Sequence, residues 1–145
     1  MVTSSENTAA PSFYKSLFLV AAAYDIVLGL AFIFLYDPIL DALDITPPDN
    51  KSYIHLASVF VLVQGLGYLF VYRNLAGNLD MIRVGVIYKA AYATVAVYYL
   101  AIDELLHWIF FLFGMIDIVF MGLFVATLVA TKKAAATRNG ERPLP

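Results

Sequence analysis

The sequence predicts an all-α fold, a four-transmembrane-helix antiparallel bundle with a short interfacial segment after the first helix. Three observations predict it. Only 14% of the 145 residues are charged while 62% are hydrophobic, against about 25% and 45–50% in a soluble globular domain. So few charges cannot clothe a water-facing surface. The apolar residues fall into four runs, each close to the ~20 residues a helix needs to cross ~30 Å of hydrocarbon. The cations gather on one side of those runs and the acids on the other.

In chain order, residues 1–15 are polar and small, with Ser4, Ser5, Glu6, Asn7 and Pro11, and read as a disordered cytoplasmic leader. The four-helix membrane domain takes residues 16–131, with spans over about 16–36, 53–72, 81–102 and 107–130. The first run is too long for a signal-peptide core and lacks a basic leader, so it reads as a retained span. Asp37-Pro38 is expected to stop it. Apolar and acidic residues interleave from Ile39 to Ile45, which suggests a segment lying in the interface, ended by Thr46-Pro47-Pro48-Asp49-Asn50. Arg73 to Asp80 is a turn-rich hairpin in which Asn78 or Asp80 is placed to cap the third span. The third connection is little more than Asp103-Glu104, so the last two spans must be neighbours. Residues 132–145 read as a mobile basic cytoplasmic tail.

Orientation follows from the charges. Lys15, Arg73, Arg83, Lys132, Lys133, Arg138 and Arg142 share one side of a four-pass chain, and Lys51 stands alone on the other. The positive-inside rule then puts both termini in the cytoplasm, and the expected location is the bacterial inner membrane. Asp37, Asp41, Asp44, Asp49, Asp103 and Glu104 fall on the outer side. Tyr14 and Tyr72 inside, with Tyr36, Tyr53, Tyr99 and Trp108 outside, form an aromatic belt.

Asp25, Gln64, Lys89 and Asp117 remain inside the spans, each roughly 12–16 Å from its helix end at 1.5 Å per residue. They therefore approach one depth near the midplane. A charge there costs at least ~2.5–3.5 kcal/mol on insertion scales, so such residues face the bundle interior and pair. Lys89 between two aspartates is the natural pairing. The excess negative charge then calls for a proton on one carboxyl, or for hydrogen bonds from Gln64, Tyr24, Tyr88 or Tyr92. Spacing agrees with an inward face: Ala21, Asp25 and Gly29 are four apart, as are Gly85, Lys89 and Ala93. Asp25-Ile26-Val27 and Asp117-Ile118-Val119, each followed shortly by Gly-Leu, echo one another, although Gly-Leu is common in membrane helices. Three readings of the cluster stand: a structural clasp that fixes helix register, a binding or proton-handling site, and a contact to a partner subunit.

His55 and His107 lie at the outer ends of the second and fourth spans. An interfacial, solvated histidine is the simpler reading of each, and a metal or haem ligand the alternative. The chain has no cysteine, which removes disulfides, thiolate metal sites and CxxC redox chemistry of its own. No nucleophile elbow, phosphate-cradling glycine loop, HExxH or deaminase signature is present. Gly65-Leu66-Gly67 has no strand before it and binds no nucleotide. No catalytic residue, resident metal or nucleic-acid partner is therefore expected. Haem, chlorophyll or quinone stand as alternatives to a cofactor-free protein, and the expected partners are membrane lipids with partner subunits or further copies of the chain.

The outer loop Pro47-Pro48-Asp49-Asn50, Gly65-Leu66-Gly67-Tyr68 leading to Arg73-Asn74, Gly85 with Lys89, and Asp117 follow a common layout. In these features residues 16–130 resemble the DoxX-like group of small four-helix bacterial membrane proteins. The resemblance implies an association with thiosulfate:quinone oxidation or with redox-linked membrane complexes. Together with the small size and the 15% aromatic content, it leads to the expectation of a non-catalytic accessory or scaffold subunit of a bacterial electron-transfer or photosynthetic complex. The alternative is a small carrier or membrane enzyme acting on a lipophilic molecule such as a quinone through the Lys/Asp cluster.

Overall fold

The computed structural model describes residues 12–140. Among them are five α-helices and one 3-10 turn: α1 (Ser12–Phe34), α2 (Tyr36–Ala42), α3 (Ser52–Arg73), the turn Ala76–Asn78, α4 (Leu79–Ala101) and α5 (Trp108–Gly140). No strand occurs among the described residues. α1, α3, α4 and α5 are each long and apolar enough to cross a membrane. Within the most apolar stretch of each, only 17–33% of the residues are buried inside the protein. The rest of that apolar surface needs a non-aqueous solvent, and the chain is a multi-pass membrane protein.

Several boundaries differ from those read in the sequence. α1 begins at Ser12, so the last residues of the expected leader are helical; residues 1–11 lie outside the described part. α1 also stops earlier, at Phe34, and Pro38 sits in the first turn of α2. There the missing N–H of proline costs nothing, so it starts a helix rather than ending one. At the other end, α5 runs on through the expected mobile tail to Gly140. Ala134, Ala135 and Ala136 have the highest intrinsic helix propensity and carry the helix onward; residues 141–145 lie outside the described part. At 33 residues α5 is roughly 50 Å long. It therefore projects beyond a ~30 Å hydrocarbon layer.

Asn78 occupies the position before α4, yet its side chain caps nothing there. It turns back and donates to the carbonyls of Phe70 and Asn74, closing the end of α3. Asp80 instead accepts a hydrogen bond from Arg83 on its own helix. The ends of α2 and α4 share one device. Asp44 (φ 54°) and Asp103 (φ 57°) adopt the left-handed conformation. The next N–H in each case reaches back five residues, Ile45 to Leu40 and Glu104 to Tyr99, both at 2.9 Å. This is a Schellman ending with aspartate where glycine is usual. α2 is tied to the start of α3 by an exposed ion pair, Lys51 Nζ to Asp37 Oδ1 at 3.0 Å. The hydrogen bond to Asp37 raises the lysine pKa above its ordinary value.

The most extensive interfaces are α1 with α3 and α4 with α5. Within the first pair the backbones nearly touch. A Cβ on Gly65 would lie 2.8 Å from the Ile26 nitrogen, and one on Gly29 would lie 2.8 Å from the Leu62 nitrogen. Small residues at such crossings allow the dispersion contact that holds helices together in lipid. Between the two pairs the joint is made by long side chains. Phe18 of α1, Tyr68 of α3 and Phe124 of α5 are fully buried, with ring centroids 4.7–6.2 Å apart. Leu17, Ala21, Val71, Leu75 and Ile82 complete this core. It fills the half of the bundle that holds the chain ends, leaving the other half to be filled differently.

Candidate functional site

At the upper limit of that core the structure brings together Asp25 of α1, Lys89 of α4 and Asp117 of α5, all buried. Lys89 Nζ lies 2.6 Å from Asp117 Oδ1, and 3.4 and 3.5 Å from the two oxygens of Asp25. One ammonium thus spans two helices, closely held by one and loosely by the other. Its remaining faces meet aromatic rings: Phe120 at 5.2 Å, Tyr68 at 5.5 Å and Tyr24 at 5.7 Å from the centroids. Distances under about 6 Å are in cation–π range. Taking an ammonium and two carboxylates out of water costs several kcal/mol per ion. The pairing, the rings and the low local dielectric together make the arrangement tolerable.

Each of the three is positioned by packing that the sequence explains locally. Gly65 lets α3 press against α1 so closely that its Cβ would fall 3.0 Å from the Asp25 Cβ. Gly85, one turn before Lys89, makes room for Tyr68, whose ring would be 2.6 Å from a Cβ there. Gly114, one turn before Asp117, faces Ala93 and Ala96 of α4. A glycine on α3, α4 and α5 therefore brings its helix or a ring close enough for a single lysine to bridge the rest.

Gln64 does not join the ion trio. Its Nε2 is buried without a hydrogen-bond partner, as are the hydroxyls of Tyr24 and Tyr68. The expected hydrogen bonds from tyrosines to the carboxylates are also not formed. Tyr92 donates to the Phe110 carbonyl at 3.3 Å. Tyr24 and Tyr88 face the same space as the carboxylates without bonding to them. Tyr88 and Tyr92 line a hollow instead, and Tyr24 meets Lys89 with the face of its ring rather than a carboxylate with its hydroxyl. His55 packs edge-on against Tyr36 at 5.1 Å. His107 accepts the Ile109 N–H at its Nδ1, 3.2 Å away, and so caps the start of α5. No group of three or more His, Asp or Glu residues is placed to hold a metal among the described residues.

Above the trio, in the half of the bundle away from the chain ends, lies a cavity of about 420 Å³. Its floor is Asp25 and Asp117, and its walls are Leu28 and Phe32 of α1, Ile54, Ala57 and Val61 of α3, Tyr88 and Tyr92 of α4, and Phe110 and Phe113 of α5. Leu40 of α2 and Ile45, both buried, close the outer side together with Thr46 and Pro48. The segment after the first span is thus part of the cavity wall. Lys89 is fully buried and does not line the space. An apolar cavity of 300–1,000 Å³ with a few convergent polar groups has the character of a small-molecule site.

The sequence carried a signal for the floor, since charged residues within spans mark themselves. It carried none for the walls, because an unfilled volume leaves no trace in residue type. Gly65 and Tyr68 entered the sequence reading only through the Gly65-Leu66-Gly67-Tyr68 layout, without a role in placing the ions. The chain matches no family model, no curated protein and no solved structure.

Proposed function

We propose that this protein binds a lipophilic small molecule in the cavity beneath α2, with the polar head of that molecule at Asp25 and Asp117, and acts as its carrier or membrane-embedded binding protein. One observation carries the reading: an apolar space of drug-molecule size ends at two buried carboxyls that share a single lysine. A clasp that only fixed helix register would have no need of the hollow above it. The polar floor and apolar walls suit an amphipathic ligand, the class of lipophilic molecule that the sequence suggested as the alternative to a scaffold role. The accessory-subunit role is compatible with this and would place the ligand within a larger redox-linked assembly.

The cation asymmetry supports both termini on the cytoplasmic side of a bacterial inner membrane. Lys132 and Lys133 lie on the part of α5 suited to project past the bilayer, where anionic lipid headgroups would meet them. The cavity would then lie in the outer-leaflet half of the protein, under α2.

The test is extraction from the native membrane in mild detergent, followed by mass spectrometry of the organic extract. Co-purification of a stoichiometric lipophilic compound, lost in Ala57→Trp, is the expected result. Ala57 is on the cavity wall away from the ions, and an indole there fills the space. A protein that retains no compound, and whose thermal stability no added lipophile raises, would remove the reading.

A further inference from the structure

The cavity is lopsided in its chemistry. Its charged lining consists of Asp25 and Asp117, whereas the ammonium that partly neutralises them is fully buried and does not line the space. A ligand arriving from the cavity therefore meets two carboxyls that share one lysine, with no cation lining the space.

We propose that the cavity selects a ligand with a cationic, hydrogen-bond-donating head, an alkylammonium or arylalkylammonium in chemical class, seated between Asp25 and Asp117. This rests on the reading of the cavity as a ligand site and narrows it to one class. Four features carry the inference. Asp25 is the less satisfied carboxylate, its oxygens 3.4 and 3.5 Å from Lys89 Nζ while Asp117 holds the lysine at 2.6 Å. A second ammonium at the floor would complete its bonding and take the place of the proton that otherwise offsets the excess carboxylate, so that each carboxylate faces a cation. The walls supply the faces a desolvated cation prefers, with Tyr24, Tyr88, Tyr92 and Phe110 all around the same space. The protein already holds one ammonium in this manner, with three rings within 5.7 Å of Lys89 Nζ.

Other heads fit poorly. An anionic head would be set against two carboxyls with no cation lining the space to receive it. A neutral carbonyl, as in a quinone, would set acceptor against acceptor at the two carboxylates, leaving the hydroxyls of the lining tyrosines, Ser58 and Thr46 as its donors. The buried Tyr24 hydroxyl, which has no partner of its own, suits the N–H of an amine by accepting from it.

The experiment compares three probes of equal chain length on the full chain in lipid nanodiscs: decylammonium, decanoate and a decyl-substituted benzoquinone. Binding is measured by calorimetry, with the Ala57→Trp protein subtracting partition into the lipid. Decylammonium is expected to bind at least about tenfold more tightly than the other two, and Asp25→Asn to weaken it by a similar factor. Asp25→Glu, which keeps the charge, is expected to retain it, and guards against a variant that merely fails to fold. Tighter or equal binding of decanoate or the benzoquinone, blocked by Ala57→Trp, would overturn the cationic selection while leaving the cavity reading in place. Binding of no probe, or binding of all three that Ala57→Trp leaves unchanged, would overturn the cavity reading and this inference with it.

Discussion

Replacing Lys89 with methionine removes the one cation from a place where nothing else substitutes for it. The side chain is fully buried and its Nζ is the only described partner of both Asp25 and Asp117. Methionine has a similar length and fits among Tyr24, Tyr68 and Phe120, so the change tests charge more than volume. Breaking a buried pair by deleting one partner costs about 3–5 kcal/mol. An independent route gives a comparable figure. A carboxyl of ordinary pKa must take up a proton at neutral pH to sit uncharged, at 1.36 kcal/mol per unit, or about 4 kcal/mol. Two carboxyls lose their partner here, so Lys89→Met is expected near the upper end, read as the unfolding free energy in mixed micelles. Repair needs both acids removed. Lys89→Met with Asp117→Leu still leaves Asp25 unpaired, whereas adding Asp25→Leu replaces the whole trio with apolar groups, which is commonly neutral or stabilising. The triple variant is expected to return to within ~1–2 kcal/mol of the natural protein. A loss below ~1 kcal/mol in Lys89→Met alone would refute the reasoning, since it would mean the ammonium is not what holds the carboxylates.

Four further outcomes follow from the packing and the helix ends. Gly65→Ala would place a Cβ 2.8 Å from the Ile26 backbone and is expected to cost about 1–3 kcal/mol as α1 and α3 separate. Gly122→Ala, with nothing within 4 Å, is the matched control and should be neutral or slightly stabilising through helix propensity. Tyr68→Phe removes a buried hydroxyl that has no partner and is expected to leave Tm unchanged or raise it, because no hydrogen bond is lost; a clear drop would reveal a partner for that hydroxyl. Asp103→Gly relieves a left-handed aspartate at the end of α4 (φ 57°) and is expected to stabilise by up to about 1 kcal/mol, measured by the same unfolding assay.

The spans and the ion trio were legible in the sequence for a single physical reason. Lipid tolerates few polar groups, so Asp25, Lys89 and Asp117 stood out against an apolar background, and their common depth implied their meeting. The adjacency of α4 and α5 was legible because Asp103-Glu104 leaves the chain no room to go elsewhere. Other features depended on competition that residue types do not decide. Asn78 had two helix ends within reach, and its amide serves the carbonyls of Phe70 and Asn74 rather than the start of α4. Pro38 suits the end of one helix and the first turn of the next, and only the break at Leu35 decides between them. The tyrosines were expected at the carboxylates because hydroxyls usually seek them, yet Tyr88 and Tyr92 stand back around a hollow. That hollow is the least legible feature of all. It arises because α1 with α3, and α4 with α5, pack closely within each pair, while Phe18, Tyr68 and Phe124 bridge the pairs at one end only.

Everything functional here depends on that hollow holding a molecule. The most direct measurement is a density map of the protein in nanodiscs formed straight from its own membrane, without exposure to detergent. An elongated density is expected between Tyr88, Phe110 and Ala57, with its polar end beside Asp25 and Asp117. A cavity filled by the protein's own side chains would contradict it, as would one containing density that ends away from the two carboxylates.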